Sequence, residues 1–428
     1  MILWLIFLLL LVFIAIGIPI AFSIGLSSLI VMYLHGDMPL GMIPQKIVYS
    51  ADSFVFLAVP FFILAGEIME KGGISVRLIQ FARSLVGRVR GGLAMACIVS
   101  GVIFSGLSGS AVADASAIGS ILIPAMKKQG YKKEFVVALQ STSSSALGPI
   151  IPPSVLMIIY GSMTDLSIGK LFLAGIVPGL LIGGALMVAS YIYAVREKYP
   201  VDTKISIFQF WISLKQSILV LILPGIILFG ISFGIFTPTE AGAVAVVYAL
   251  VVSLFIYKEI KFSDLKEIII SASLKTAVAM IVVAMASIFA WILAREKASI
   301  LAVNYLIHLS RDPMVIILLL ILFLVAVGTV MDTMAATIIL TPILAPLAQQ
   351  YGFDPIHFGL IVIMSLVLGL TTPPVAVVLY ITCGIGDVKI HDASKFVYIF
   401  VSVIILVIFL IAAVPQLAMF LPNFYLGR

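Results

Sequence analysis

The feature that most constrains this chain is a stretch that occurs twice. The first copy opens at Gly106-Leu-Ser-Gly-Ser110, passes Pro124 and Gly130-Tyr131, and closes at Gly148-Pro-Ile-Ile-Pro-Pro153. The second opens at Gly328-Thr-Val-Met-Asp332, passes Pro346 and Gly352-Phe353, and closes at Gly369-Leu-Thr-Thr-Pro-Pro374. The first three landmarks share an offset of 222 residues and the closing motifs one of 221, so a single residue is lost between them. One Gly-Pro cluster is a weak signal. Two Gly-x-x-x-Pro-Pro motifs at matching positions mark an internal repeat.

The copies lie in a strongly apolar chain. Of 428 residues, 63% are hydrophobic and 10% charged, where a soluble domain carries about 25% charged residues. Long apolar runs recur from end to end, which predicts a polytopic helical membrane protein in a lipid bilayer. The net charge of +6 therefore concerns topology, and no nucleic-acid partner is expected. Cys97 and Cys383 sit in apolar runs without a CxxC partner and read as small core residues. The four histidines are too far apart for a transition-metal pair. No P-loop is present, so nucleotide hydrolysis in this chain is not the energy source.

Residues 2–34 contain a Gly17-Ile-Pro19 interruption and read as two spans, 2–16 and 19–34, with one long tilted helix as the alternative. This N-terminal stretch lacks a basic leader and is expected to be retained in the membrane. A connector with Pro39 and Pro44 leads to a span at 52–70, then to an interfacial amphipathic piece at 74–87. Segments 92–105 and 111–127 would be about 21–26 Å long as helices, short of a hydrocarbon core of about 30 Å. The Gly106–Ser110 turn between them predicts a re-entrant hairpin, tolerable only where protein or a watery cavity covers its tip. A helix from Glu134 to Tyr160, broken at 148–153, and a span at 171–195 complete the half. The second half repeats the order. Spans at 211–234 and 238–257 lead through a charged connector, Lys258 to Lys266, to a span at 272–294 and an amphipathic piece at 298–310. A hairpin follows with arms 313–327 and 333–348, then a helix 356–382 broken at 369–374, and a last span at 396–421.

The expected fold class is an all-α polytopic membrane protein. It has two inverted-topology repeats, each with a re-entrant helical hairpin and a broken transmembrane helix. Five sections follow from this layout: scaffold over 1–90, a first transport half over 91–170, scaffold over 171–310, a second transport half over 311–390, and a terminal scaffold helix over 391–428. The layout puts 19 of the 25 Lys and Arg residues, Lys275 among them, on one side and 6 on the other. By the positive-inside rule the first side is cytoplasmic, both termini lie opposite, and the hairpins enter from opposite faces.

The paired breaks carry the chemistry. Pro152 and Pro153 have no N–H, so the carbonyls of Gly148 and Pro149 lose their helical donors. Pro149 similarly frees Ser145, and Pro373 and Pro374 free Gly369 and Leu370. Free carbonyls in a dry site are costly unless bound, and a small hard cation binds them well. The hairpin tips add Ser105, Ser108 and Ser110 in one copy and Thr329 and Thr333 in the other. The helix starts near Ser110–Asp114 and Asp332–Thr333 present N–H groups that suit an anion. Two cation pockets flanking an anionic or polar solute are therefore expected. The candidate solute contacts are Ser110, Asp114, Ser143, Ser144, Ser145, Asp332, Thr333 and Thr371. The alternative is that Gly and Pro only kink helices for packing; paired breaks beside paired hairpins favour binding. Glu67, inside a span, serves either helix pairing or solute passage. Thr237-Pro-Thr-Glu240 has the pattern of a capping box. Gly384-Ile-Gly-Asp387 superficially matches intramembrane aspartyl proteases, but no second carboxylate is placed to share a site with Asp387.

At these residues the chain resembles the large membrane subunit, or M subunit, of tripartite ATP-independent periplasmic (TRAP) transporters. The resemblance rests on Gly17-Ile-Pro-Ile-Ala-Phe22, Pro60-Phe-Phe-Ile-Leu-Ala-Gly66, Gly106–Ser110, Gly148–Pro153, Thr237-Pro-Thr-Glu-Ala241 and Gly369–Pro374, and covers essentially the whole chain. It implies a bacterial inner-membrane importer that moves an organic acid, of sialic acid or C4-dicarboxylate type, with sodium ions. It implies an elevator mechanism of the ion-transporter superfamily, a periplasmic binding protein that delivers the solute, and a small four-helix Q subunit. The family's sodium sites correspond here to Ser105, Gly106, Ser108, Gly148 and Ile151, and to Gly328, Gly369, Thr372 and Val375. Thr371-Thr372 stands where the first copy has Ile150-Ile151, so the first site leans more on backbone. The alternative is a stand-alone sodium/dicarboxylate carrier of similar design.

Overall fold

Helix boundaries in the computed structural model, which describes residues 2–36, 38–201 and 207–427, follow the punctuation of the sequence. Lys204 and Arg428, both in the charge count, lie outside the described residues. Gly17 adopts a left-handed φ of 87° and Pro19 has no N–H. The first apolar stretch is accordingly two helices packed on each other, α1 (Ile2–Ala15) and α2 (Ile20–His35). The connector expected through Pro39 and Pro44 is instead largely helical, α3 (Met42–Ala51). Pro44 falls in its first turn, where an N–H would have no intrahelical acceptor to lose.

A 3-10 turn at Phe54–Leu57 leads into α4 (Ala58–Lys71), and α5 (Ile74–Val86) follows. The first hairpin is α6 (Gly92–Ser108) and α7 (Ala111–Lys128). The first broken helix is α8 (Lys133–Leu147) and α9 (Val155–Thr164), and α10 (Ile168–Arg196) ends the half. The second half runs α11 (Ile207–Ser232), α12 (Pro238–Val251), α13 (Leu265–Arg295) and α14 (Ala298–Leu309). Its hairpin is α15 (Pro313–Val330) and α16 (Thr333–Gln350), and its broken helix α17 (Pro355–Val367) and α18 (Val377–Gly386). The expected capping box opens α12: the Thr237 side chain accepts the Glu240 N–H, and Glu240 accepts the Thr237 N–H. The last span is two helices, α19 (Ile390–Ala413) and α20 (Gln416–Leu426), because Pro415 forces Val414 out of helical backbone.

The hairpin arms are longer than the sequence suggested. Helix continues through Gly106–Ser108 and Gly328–Val330, leaving two-residue tips, Gly109-Ser110 and Met331-Asp332. Arms of 17 and 18 residues are about 25–27 Å long, so their length alone does not argue re-entrance. Seven helices among the described residues are long and apolar enough to cross a membrane, or eight if the bent pair at 42–71 is one span.

The packing has a crossed pattern. From the first hairpin α7 packs on α18, and from the second α16 packs on α9, so each hairpin rests on the other half's broken helix. The Lys127 ammonium donates to the Gly386 carbonyl at 2.7 Å, capping α18 from α7. α10 and α19 both lie against α8, where Phe135 stacks on Tyr193 at 4.7 Å and meets Phe396 edge-on at 6.0 Å. A second group forms around α4, which packs on α12 and α13, with α13 also on α2 and α3; it meets the hairpins where α4 touches α6 and α13 touches α16.

Candidate functional site

Glycine lets each tip lock into its break. Gly109 has φ 57°, and a Cβ there would stand 2.5 Å from the Pro153 carbonyl oxygen. A Cβ on Gly148 would stand 2.8 Å from the Ala111 nitrogen. In the second copy a Cβ on Gly369 would fall 1.8 Å from the Gly328 carbonyl carbon. The Val375 N–H donates to the Thr329 carbonyl at 3.1 Å across the same contact. Both Pro152–Pro153 and Pro373–Pro374 bonds are cis.

The carbonyls are less free than the missing proline donors suggested. The Ser154 hydroxyl donates to the Pro149 carbonyl. The Gly369 carbonyl accepts the Thr372 N–H at 3.2 Å, and the Thr372 hydroxyl donates to Leu368 at 2.8 Å. At Pro149 and Gly369 local donors have replaced the lost helical ones, although each oxygen keeps a second lone pair.

Both tips and both breaks open on one cavity of about 510 Å³. Ser108–Ala113 and Asp332–Met334 come from the tips, and Pro149, Val155, Leu156 and Leu370 from the breaks. The opposite wall is α4, with Ile63, Gly66 and Glu67, and α13, with Leu274, Lys275, Val278 and Ala279.

Three of the expected solute contacts, Ser110, Asp332 and Thr333, line this cavity. Asp114, Ser143, Ser144, Ser145 and Thr371 do not; all five are buried among the helices. The Thr371 hydroxyl bonds that of Ser141 at 2.6 Å, tying α8 to the second break. Gln140 donates to Ser144 at 2.8 Å, while the Ser143 and Ser145 hydroxyls have no hydrogen-bond partner among the described residues. The anion expected at the start of α16 is replaced by the protein itself. The Asp332 carboxylate accepts the N–H groups of Met334 at 3.0 Å and Ala335 at 3.2 Å, occupying the place an external anion would take.

Of the expected first cation pocket, Ser105 and Ser108 meet at Asp114. The Ser105 hydroxyl is 2.7 Å from Oδ2, and Ser108 donates to Oδ1. No Lys or Arg pairs with this carboxylate among the described residues. An ionised group buried without a counter-charge costs on the order of several kcal/mol, and a hard cation offsets that cost. Two hydroxyls and a carboxylate, buried except where Ser108 borders the cavity, fit a sodium ion. Gly106 lies near the Pro152 carbonyl, and the Ile151 side chain packs on Gly179 of α10, leaving only backbone to offer. At the second break Gly328 and Gly369 bring only backbone, and Thr372 adds one hydroxyl.

One pair on the opposite wall was only half visible in the sequence. Glu67 pairs with the Lys275 ammonium and accepts the Ser271 hydroxyl at 2.7 Å. The charge count had set Lys275 with the loop cations. Yet Lys275 already falls within the expected span 272–294, and helix α13, which begins at Leu265, seven residues before the expected start, sets it well inside the helix. The signal for it was an acid on one span and a base on another, but their pairing joins residues 208 apart.

A helical membrane protein whose two hairpins and two interrupted helices converge on one cavity belongs to the class of solute transporters. The solved structure of the Alcanivorax borkumensis YdaH transporter shares this fold, with a TM-score of 0.60 and 14% identity over 87% of this chain and 86% of that one. The family model for the DctM component of tripartite ATP-independent periplasmic transporters matches residues 7–417, and the chain belongs to that family. It is 38% identical to the sialic acid TRAP transporter large permease protein SiaM of Vibrio cholerae, over 96% of each chain. It is 39% identical to the 2,3-diketo-L-gulonate TRAP transporter large permease protein YiaN of Escherichia coli, over 94% of this chain and 95% of that one. It is a multi-pass inner-membrane transporter component and not an enzyme.

Proposed function

We propose that this chain is the translocating subunit of a sodium-coupled importer of an organic acid, working by an elevator movement. The observation that carries the proposal is the cavity, walled on one side by both tips and both breaks and on the other by α4 and α13. A solute there lies between two bodies, so sliding one past the other would expose it to each membrane face in turn. The aromatic contacts of α8 with α10 and α19 support a moving body that takes these two helices with the hairpins, in place of the scaffold sections 171–310 and 391–428 to which the sequence reading gave them. The frame is then α4, α12 and α13 with α2 and α3. The named substrates of SiaM and YiaN are both organic acids, which supports that solute class here.

Sodium is assigned to Ser105, Ser108 and Asp114, with backbone from Gly106, Gly148 and Ile151, and to a second site of Gly328, Gly369, Thr372 and Val375. Asp114 thereby moves from the solute's contacts to the ion's. When bound, sodium supplies the charge that couples uptake to its gradient. Each net charge moved gains about 2.3 kcal/mol per 100 mV. Membership of a tripartite family supports a small membrane subunit and a periplasmic binding protein as partners, and a match over residues 7–417 weighs against a stand-alone carrier. The test is uptake into proteoliposomes holding the chain and its small subunit, with binding protein outside. Uptake should require inward sodium and the binding protein. Full-rate uptake by the chain alone, or uptake indifferent to sodium, would overturn the reading.

A further inference from the structure

We propose that Lys275 is the residue of the frame that contacts the solute's carboxylate, and that Glu67 is the internal carboxylate that pairs with it when no solute is bound. This deepens the proposed function and rests on it.

Glu67 and Lys275 sit on α4 and α13, the wall that faces the hairpin tips. Gly66 beside Glu67 lies against the first tip, where a Cβ would stand 3.7 Å from the Ser108 Cα. The pair is asymmetric: the Glu67 side chain is 9% exposed and that of Lys275 is 51% exposed. A clamp between two helices has no need of an open base. Both Glu67 oxygens are engaged, one by Lys275 and the other by Ser271. An ammonium has three donors, and the pairing with Glu67 leaves capacity on the open side of Lys275.

The other polar groups around the cavity cannot neutralise an anion. Ser108, Ser110 and Thr333 are uncharged, and the Asp332 carboxylate repels it. Among the lining residues Lys275 is the sole cation. A lysine is a compact charge on a flexible stem, so it can hold Glu67 and reach a solute carboxylate together. Ionisable side chains facing a cavity within a membrane protein mark solute or ion paths. Because this cation stands on the frame and the hairpins would move, the contact forms in the positions where the cavity faces α13 and breaks as the moving body leaves.

The test uses the chain in complex with its small subunit. Binding of radiolabelled sialic acid, 2,3-diketo-L-gulonate and succinate is measured at saturating sodium, with neutral N-acetylmannosamine as control. Glu67→Gln removes the competing charge and should tighten anion binding about threefold or more. Lys275→Met alone would strand Glu67, so the double variant Glu67→Gln/Lys275→Met is the one that reads the cation's role. It should melt within a few degrees of wild type yet bind the anion at least about tenfold more weakly, a loss of about 1.4 kcal/mol. Lys275→Arg should stay within a few-fold of wild type. Wild-type affinity in the double variant overturns the inference alone, leaving the pair as a clamp of α4 on α13. Glu67→Gln weakening binding as much as the double variant overturns it too. A wild-type complex that binds none of the three anions in sodium overturns the proposed function, and this inference with it.

Discussion

Gly369→Ala should prise the second hairpin from the break it locks into. The added Cβ would stand 1.8 Å from the Gly328 carbonyl carbon and 1.9 Å from its oxygen. Non-bonded heavy atoms settle at about 3.5 Å or beyond, so one backbone must retreat by about 1.7 Å. No rotamer can absorb this, because both atoms are main chain. Gly328 cannot give way easily either, since a Cβ on it would lie 2.3 Å from the Leu366 carbonyl. The cost should exceed the 1–3 kcal/mol or so of ordinary overpacking. The displaced tip carries Asp332 and Thr333 away from the cavity, and a misplacement of about 1 Å can cost about a hundredfold in rate. Uptake should therefore fall about a hundredfold while the complex with the small subunit still assembles. Gly148→Ala meets the Ala111 nitrogen at 2.8 Å and needs only about 0.7 Å of relief on the same contact scale, so its loss should be clearly smaller. Gly184→Ala, with nothing within 4 Å, should transport like wild type. The assay is sodium-driven uptake in proteoliposomes at matched protein content. Gly369→Ala performing like Gly184→Ala would refute the interlock.

Asp114→Asn keeps the contacts to Ser105 and Ser108 but removes the charge. It should raise the sodium needed for half-maximal uptake at least about tenfold, on the scale of a buried charge pair. In sodium-free buffer it should melt higher than wild type, because the cost of the buried charge is gone. Unchanged sodium dependence with a lower melting point would make Asp114 a structural anchor. Single cysteines at Gln129 and Thr164, with Cys97 and Cys383 replaced, should react from opposite sides of the membrane. Labelling from the same side would remove the inverted arrangement of the halves.

What was legible in the sequence is what short stretches decide alone. A Pro-Pro pair withholds its donors wherever it lies, so both breaks could be placed to within a few residues. Gly17 and Pro19 separated α1 from α2, and Thr237-Pro-Thr-Glu240 capped α12, by the same local logic. The repeat itself needed only matching spacings, and the motif set sufficed for the family. Most errors of local reading were a few residues: helix ran three residues further into each tip, the connector expected at Pro44 was largely helical, and the last span divided at Pro415. The site was legible only in part, because its members are paired by packing. Asp114 carries the same charge as any N-terminal acid of a helix, and only the return of α7 along α6 sets it between Ser105 and Ser108. Ser141 meets Thr371, Gly328 meets Gly369, and Glu67 meets Lys275 across separations that no local rule spans. Chain composition and turn chemistry thus determined which elements form. Which charges meet, and which backbones touch, was decided by the tertiary fold, because those energies exist only when distant segments share the same space.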